Sequence, residues 1–253
     1  MSLVGLGPGA SDLMAPRARQ ALHRAEVIVG YSTYVKLLDQ ELVEGKEIVS
    51  TGMTKEVARC QAALDRACRG QRTAVVCSGD SGIYALAGLV LEMIEENGLL
   101  GRLDVEIVPG IPALAAAASS LGAPLMHDFA SVSLSDLLTP WEVIEKRVRA
   151  AAEADFVIVL YNPRSKTRTW QLNTVRSLIS TCRAGNTPVG VVQNASKSNE
   201  KITLTTLDGL DTKSVDMKCT VIIGNSQTRR VGNWLLTPRG YAGKYTLADE
   251  NGG

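Results

Sequence analysis

The sequence has 253 residues, of which 45% are hydrophobic and 21% charged, a composition typical of soluble globular proteins that excludes a disordered or fibrous chain. Its net charge of +1 excludes a strongly basic chain built for nucleic acid, so no nucleic-acid partner is expected. No apolar run reaches the ~20 residues of a membrane span, and the N-terminus lacks a signal-peptide pattern, so we expect a cytoplasmic protein that does not bind membranes.

The first half alternates short apolar runs with amphipathic segments. Between the runs, apolar residues recur every three or four positions over 54–69 and 83–94, which predicts helices. Such alternation predicts a mainly parallel sheet covered by helices on both faces. The β-branched runs that we expect to be its strands lie at 3–6, 26–30, 72–77 and 103–108.

The predicted strands of the second half differ from one another in their hydrophobic patterns. Residues 155–161 and 187–193 resemble fully buried strands, whereas 201–207 alternates strictly and predicts a strand with one solvated face. Thr139 followed by Pro140 predicts a helix start, with Thr139 as N-cap. We therefore predict an α/β protein of two α/β domains, with a mainly parallel sheet in 1–112 and a mixed sheet in 113–245, followed by a frayed tail at 248–253.

The first predicted strand leads into Gly5-Leu6-Gly7-Pro8-Gly9-Ala10, which satisfies the loose G-x-G-x-x-G/A pattern of dinucleotide-binding proteins. A NAD loop opens directly into a helix, and an acidic residue ends the second strand. Here Pro8 interrupts the loop, a helix can begin only at Pro16, and the second strand ends without an acid. These features disfavour a NAD(P)-dependent oxidoreductase and leave either a ligand-binding loop or a tight turn.

Two further glycine turns follow predicted strands, at 78–82 and at 109–113. Because ligands of open α/β sheets bind outside the carboxyl ends of the strands, three such turns indicate one shared cleft. No Walker-type Lys-Ser/Thr follows any of them, so phosphate is not the expected ligand. Asp80, in the second turn, either contacts a ligand or caps the turn.

The distribution of charge and the spacing of the cysteines indicate which ligands and sites to expect. Residues 1–153 carry a net charge of −5 and residues 154–253 one of +6, which favours a small anionic ligand for the second half. The cysteines show no C-x-x-C spacing, so we expect neither a metal site nor a disulfide framework and interpret them as small buried hydrophobic residues. They are Cys60, Cys68, Cys77, Cys182 and Cys219.

Taken in order, five blocks resemble the tetrapyrrole methylases of the cobalamin and sirohaem pathways, which use S-adenosylmethionine. The blocks are VGLGPG (4–9), SGDSGIY (78–84), VPGIPA (108–113), LYNPRS (160–165) and VQNAS (192–196). Segments 122–141, 153–165, 215–225 and 235–241 most resemble the subgroup that methylates C-17 of precorrin-3B or its cobalt-containing counterpart, cobalt-factor III, and contracts the ring. A methylase acting at another carbon and a non-catalytic tetrapyrrole carrier remain alternatives, and Ser81 departs from the family's usual Gly-Asp-Pro.

The resemblance implies that S-adenosylmethionine binds folded in a cleft between the two domains, that S-adenosylhomocysteine is the product, and that the protein is a homodimer. The implied cofactor-binding residues are Gly7, Pro8, Gly9, Ser78, Gly79, Asp80, Ile83, Pro112, Ala113, Tyr161, Asn162, Asn194 and Ala195. The implied substrate is a polycarboxylate tetrapyrrole, which requires cations around its rim. The candidate substrate-binding residues are Ser133, Arg164, Lys166, Arg168, Arg229, Arg230 and Arg239.

Ring contraction also requires proton transfer, because an oxygen on the C-20 carbon loses or shares a proton while a carbon–carbon bond migrates. A histidine that titrates near neutrality suits this step, and His127 beside Asp128 is the candidate. The alternative is a hydrogen-bonded loop pair. Asp136, with Ser133 and Ser135, is a candidate for polarising the migrating group, or else for building a turn.

Overall fold

The computed structural model describes residues 1–247, and the predicted tail at 248–253 lies outside the described residues. The chain divides into two compact units. The first unit comprises residues 1–116 together with 196–198, and the second comprises 117–195 and the described residues from 199 onward. The predicted division at 112/113 falls four residues before the boundary between the units.

The first unit contains a five-stranded sheet in which every pair of neighbouring strands is parallel, as the sequence predicted. Its strand order is β3-β2-β4-β1-β5. The strands are β1 (Ser2–Gly5), β2 (Val27–Tyr31), β3 (Glu47–Thr51), β4 (Thr73–Cys77) and β5 (Glu106–Val108). The helices are α1 (Pro16–Arg24), α2 (Ser32–Val35), α3 (Gln40–Val43), α4 (Glu56–Cys68) and α5 (Ala87–Glu96).

Helices cover both faces of this sheet. Successive side chains of a strand point to opposite faces, and both faces carry apolar side chains that pack against helices. Leu3 packs in a cluster with Leu64 of α4. Its neighbour Val4 packs in a second cluster with Leu22 of α1. All four side chains are almost completely buried, and each apolar face is worth roughly 25 cal/mol for every Å² removed from water.

The second unit contains a mixed five-stranded sheet, also as predicted. Its order is β10-β9-β11-β8-β7, and only the β7–β8 pair is parallel. Its strands are β7 (Phe129–Ser133), β8 (Val157–Tyr161), β9 (Pro188–Gln193), β10 (Lys201–Thr206) and β11 (Cys219–Ile223). Helices α7 (Trp141–Glu153) and α8 (Gln171–Ile179) pack on one face around Ile158, Leu160 and Val221.

Three short strands form a separate sheet in the second unit, in the order β12-β13-β6. They are β6 (Gly122–Ala123), β12 (Arg229–Val231) and β13 (Trp234–Leu236). Strand β6 directly follows α6 (Ala113–Leu121), a helix that begins in the residues of the first unit.

Three local predictions differ from the structure. Helix α7 begins at Trp141 with Pro140 as N-cap, and no side chain caps it, so the predicted Thr139 cap is wrong by one residue. Helix α5 begins at Ala87, four residues later than the apolar spacing indicates. Strand β10 is predicted to have one solvated face, but it is the edge strand of the mixed sheet, and Ile202 on its apolar face is also 47% exposed.

Burial separates the five free cysteines into two groups. Cys60, Cys77 and Cys219 are buried, whereas Cys68 and Cys182 are exposed, so the interpretation as buried residues is correct for three of them. Burial raises the pKa of Cys60 and that of Cys219 to about 11, and it also raises the pKa of Cys77. Among residues 1–247, no helix is both long and apolar enough to cross a bilayer.

We expect two thiols, those of Cys68 and Cys182, to react quickly with Ellman's reagent at pH 8 in the native protein. The reactive species is the thiolate, and burial keeps the other three thiols protonated and covered. Unfolding in guanidinium chloride exposes all five. Cys68→Ser is expected to lower the native count by one, and fast native reaction of four or five thiols would contradict the burial described here.

Candidate functional site

The three glycine loops of the first unit meet at one edge of its sheet. Strand β1 lies between β4 and β5, so the loops that follow these strands are neighbours at their carboxyl ends. The Leu6 amide donates to the Cys77 carbonyl at 2.9 Å. Gly7 and Gly79 exchange two backbone hydrogen bonds of 3.0 and 2.8 Å. The loops after β1 and β4 are thus joined as a short extension of the sheet.

The third loop approaches so closely that side chains do not fit. A Cβ atom on Gly110 would lie 2.2 Å from the Gly79 carbonyl oxygen, and one on Gly5 would lie 2.6 Å from the Gly110 nitrogen. Separations below 3.0 Å require the backbone to move. Glycine at these positions is therefore a condition for the three loops to meet.

Asp80 fastens two of these loops. One carboxylate oxygen accepts the Gly82 amide at 2.8 Å, and the other accepts the Gly110 amide at 3.0 Å. Charged acceptors make the stronger class of backbone hydrogen bond. This geometry corresponds to the turn-capping alternative for Asp80, extended to a second loop.

A small hollow lies beside the β1 loop. Its walls include Gly7, Gly9 and Ser78, three predicted cofactor-binding residues, together with Met14 and Tyr34. Burial raises the pKa of Tyr34, so its phenol stays neutral. The hollow is therefore lined by backbone and uncharged side chains.

The remaining cofactor candidates of the first unit lie around the same loops. Pro8 is buried. The Pro112 Cα and the Ala113 nitrogen are each 3.6 Å from the position that a Cβ on Gly79 would take, which is ordinary van der Waals contact. Ile83 lies in the exposed segment between the second loop and α5.

The structure agrees with the argument against a dinucleotide loop. Helix α1 begins at Pro16, and a 3-10 turn at Ser11–Leu13 separates it from the glycines. The last residue of β2 is Tyr31. Glu26 precedes β2 and forms an ion pair with Arg72 at 3.2 Å. The residues that would hold a pyrophosphate and a ribose are therefore not in place.

In the second unit, strands β7, β8 and β9 end at a common edge. Strands β8 and β9 are both antiparallel to β11, so they run in the same direction, and β7 is parallel to β8. Of the predicted pairs at this edge, Tyr161 ends β8 and Asn162 follows it, and Asn194-Ala195 follows β9. Asn162 and Asn194 have φ of 50° and 54°, a left-handed conformation that asparagine tolerates better than most residues.

A polar cluster lies at the end of β7 and β8. The Asn162 side-chain amide donates to Ser133 Oγ at 2.9 Å, and the Arg168 guanidinium donates to the Asn162 carbonyl at 2.8 Å. Gln171 donates to Asp136 at 2.8 Å. Burial lowers the pKa of Arg168, an effect that the Asp136 charge opposes. Within residues 1–247, the buried Arg168 Nε makes no hydrogen bond.

Within residues 1–247, the hydrogen bonds of this cluster involve none of the other predicted cations. The Arg164 guanidinium donates to the Thr212 and Lys213 carbonyls at 3.3 and 2.9 Å, so it braces a loop. Lys166 and Arg239 are exposed. Arg229 and Arg230 are exposed on β12, in the small sheet.

Strand β12 also begins near the opposite edge of the mixed sheet. It follows a turn in which the Ser226 amide donates to Asp155 at 2.9 Å. Asp155 precedes β8, so this turn lies at the amino end of that strand. The structure therefore brings Arg168 together with Ser133 and Asp136 and leaves Arg229 and Arg230 apart from them.

His127 and Asp128 form an exposed local pair. The Asp128 amide donates to His127 Nδ1 at 2.8 Å, and the Asp128 carboxylate lies 3.6 Å from the same nitrogen. This bond leaves the proton of the neutral ring on Nε2, which faces away from the accepted amide. Both the loop-pair interpretation and a proton-transfer role are compatible with this arrangement.

Lys197 is at the site, and our sequence reasoning missed it. It belongs to the 196–198 segment that groups with the first unit, and its side chain lies against Gly9. Its position directly after the VQNAS block is the one signal in the sequence, but that position does not specify a contact with Gly9.

Comparisons with known proteins identify the family of this chain. A family model described as Tetrapyrrole (Corrin/Porphyrin) Methylases matches residues 1–211. A Salmonella typhimurium protein named "Probable cobalt-factor III C(17)-methyltransferase" is 49% identical over 243 residues, which cover 95% of this chain and 99% of that protein. The Priestia megaterium "Cobalt-factor III methyltransferase" is 45% identical over 97% of this chain, which spans 46% of that longer protein.

A solved structure extends the comparison to the fold. The crystal structure of the methyltransferase CobJ matches with a TM-score of 0.90 and 38% identity, over 94% of this chain and 98% of that one. The fold and the glycine loops define an α/β methyltransferase. The chain belongs to the tetrapyrrole (corrin/porphyrin) methylases.

Gly110→Ala is expected to destabilise the protein by about 1–3 kcal/mol, because the new methyl group overlaps the Gly79 carbonyl oxygen. Gly88→Ala is the matched control, since Gly88 lies in α5 with nothing within 4 Å of a new Cβ. Alanine favours helix, so the control is expected to keep or slightly raise stability. Urea unfolding measures both, and equal midpoints for the two variants would contradict the close approach.

Proposed function

We propose that this chain is an S-adenosylmethionine-dependent methyltransferase of cobalamin synthesis. The proposed reaction methylates C-17 of cobalt-factor III or precorrin-3B and contracts the ring to give cobalt-precorrin-4 or precorrin-4. The observation that carries the proposal is the meeting of three glycine loops at one edge of the first sheet. The chain also matches the Salmonella typhimurium protein named as a probable cobalt-factor III C(17)-methyltransferase over nearly the full length of both. The relatives' names favour the cobalt-containing substrate.

The first-unit loops fit a compact sulfonium cofactor. Backbone and small side chains at Gly7, Gly9 and Ser78 leave a hollow without charged walls, and Asp80 holds the loops in place. When bound, S-adenosylmethionine supplies an electrophilic methyl group, and S-adenosylhomocysteine is the product. The protein's part is to position the reactants and exclude water, so no nucleophilic side chain is needed. The assignments of Tyr161, Asn162, Asn194 and Ala195 to the cofactor stay predictions.

In the second unit, the proposed substrate contacts are the polar cluster and the exposed cations. Arg168 has a buried Nε that makes no hydrogen bond within residues 1–247, and Lys166 is exposed close to it in sequence. Arg164 supports this region indirectly through the 212–213 carbonyls. We propose that His127, with Asp128, moves the proton during ring contraction and that Asp136 polarises the migrating group. A cytoplasmic homodimer remains an expectation from composition and resemblance.

S-adenosylhomocysteine at one hundred times its dissociation constant is expected to stabilise the protein by about 2.7 kcal/mol, because it binds the native state alone. Thermal unfolding measures this shift, and NADH at the same concentration serves as the control ligand. Stabilisation by NADH without stabilisation by S-adenosylhomocysteine would favour the oxidoreductase and overturn the proposal.

His127→Ala is expected to lower product formation by about 10²-fold or more, since general acid–base catalysis contributes at least this much. Binding of S-adenosylhomocysteine should be unchanged. His23→Ala is the matched control, because His23 lies in the last turn of α1. Mass spectrometry of reactions with cobalt-containing and metal-free substrate gives the rates and the preferred form. Full activity in His127→Ala would remove His127 from the mechanism.

A further inference from the structure

A lysine lies over the glycine loop of the first unit. The segment 196–198 groups with this unit, although the residues on both sides of it belong to the second. Asn194 and Ser196 adopt left-handed conformations, with φ of 54° and 60°, which bend the chain on either side of Ala195. This bend places the Lys197 side chain against Gly9.

The Lys197 stem packs on Gly9 along most of its length. A Cβ on Gly9 would lie 2.4 Å from Lys197 Cε, 3.2 Å from Cγ and 3.3 Å from Cδ. The stem therefore occupies the space that any other residue at position 9 would take. Because Nζ is bonded to Cε, the ammonium group is held beside the loop whose glycines line the hollow.

Among the described residues, the Lys197 ammonium group has no partner of its own. Within the part of the chain that the structure describes, residues 1–247, Lys197 makes no hydrogen bond or ion pair, although it is half-buried. The carboxylate of the loop cluster, that of Asp80, already accepts two backbone amides. A lysine whose stem is packed and whose charge is unpaired has its charge available for an anion.

We propose that Lys197 binds a carboxylate at the glycine loop. The inference rests on the proposed function, which supplies two sources of carboxylate: the amino-acid end of S-adenosylmethionine and the periphery of the tetrapyrrole. Gly9 is the residue that makes the contact possible, because its bare backbone admits the lysine stem.

The test compares ligand affinities of the wild type with those of Lys197→Met, which keeps a similar unbranched stem and removes the charge. Lys146→Met, on the exposed face of α7, is the matched control for the loss of one positive charge. Lys197→Arg preserves the charge on a stem of the same shape and is expected to retain most of the affinity. Urea unfolding shows whether each variant is as stable as the wild type.

Titration calorimetry uses S-adenosylhomocysteine and methylthioadenosine, which lacks the amino-acid end, and kinetics give the KM for the tetrapyrrole. If the carboxylate belongs to the donor, Lys197→Met weakens S-adenosylhomocysteine by about tenfold or more and leaves methylthioadenosine unchanged. If it belongs to the tetrapyrrole, S-adenosylhomocysteine is unchanged and the KM rises by about tenfold or more.

Lys197→Met values within twofold of the wild type in all three measurements overturn the inference alone. An equal loss in Lys146→Met also overturns it, because the effect is then one of general charge. Failure of the wild type to bind S-adenosylhomocysteine overturns the proposed function, and the inference that rests on it falls as well.

Discussion

The site depends on the contact between three bare stretches of backbone. A side chain on Gly5 or Gly110 would overlap the backbone of a neighbouring loop, and this close approach brings the loops after β1, β4 and β5 together as one surface. Parallel strands make the contact possible, because only in a parallel arrangement do the carboxyl ends of neighbouring strands meet at one edge. The hydrogen bonds from the Gly82 and Gly110 amides to Asp80 then link the loops after β4 and β5.

This constraint explains why the site has so few ionisable groups of its own. A surface made of packed backbone offers amides, carbonyls and small side chains. Such groups suit a methyl donor that is itself reactive and needs no catalytic side chain. Charge is supplied from other parts of the chain. Lys197 reaches the loops from a distant segment, and Arg168 and Asp136 lie in the polar cluster of the second unit. Positioning and charge are thus separate contributions in the proposed mechanism.

The sequence predicts the features that depend on local pattern. The parallel sheet follows from the alternation of strands and helices, and the glycine loops from their places after β1, β4 and β5. Strand β3 was missed because three of its five residues are polar and its apolar run is only Ile48 and Val49. The contact of Lys197 with Gly9 joins residues 188 positions apart, and no local pattern encodes such a contact. For the same reason, the separation of Arg229 from Arg168 could not be seen in the charge distribution.

The first unit is discontinuous in sequence, and this affects how the protein is made. Residues 1–116 contain all five strands and the three loops of this unit, but Lys197 follows only about 80 residues later. At roughly 5–20 residues per second, Lys197 is synthesised several seconds after residue 116. The first unit therefore has all of its residues only after β9 has been translated.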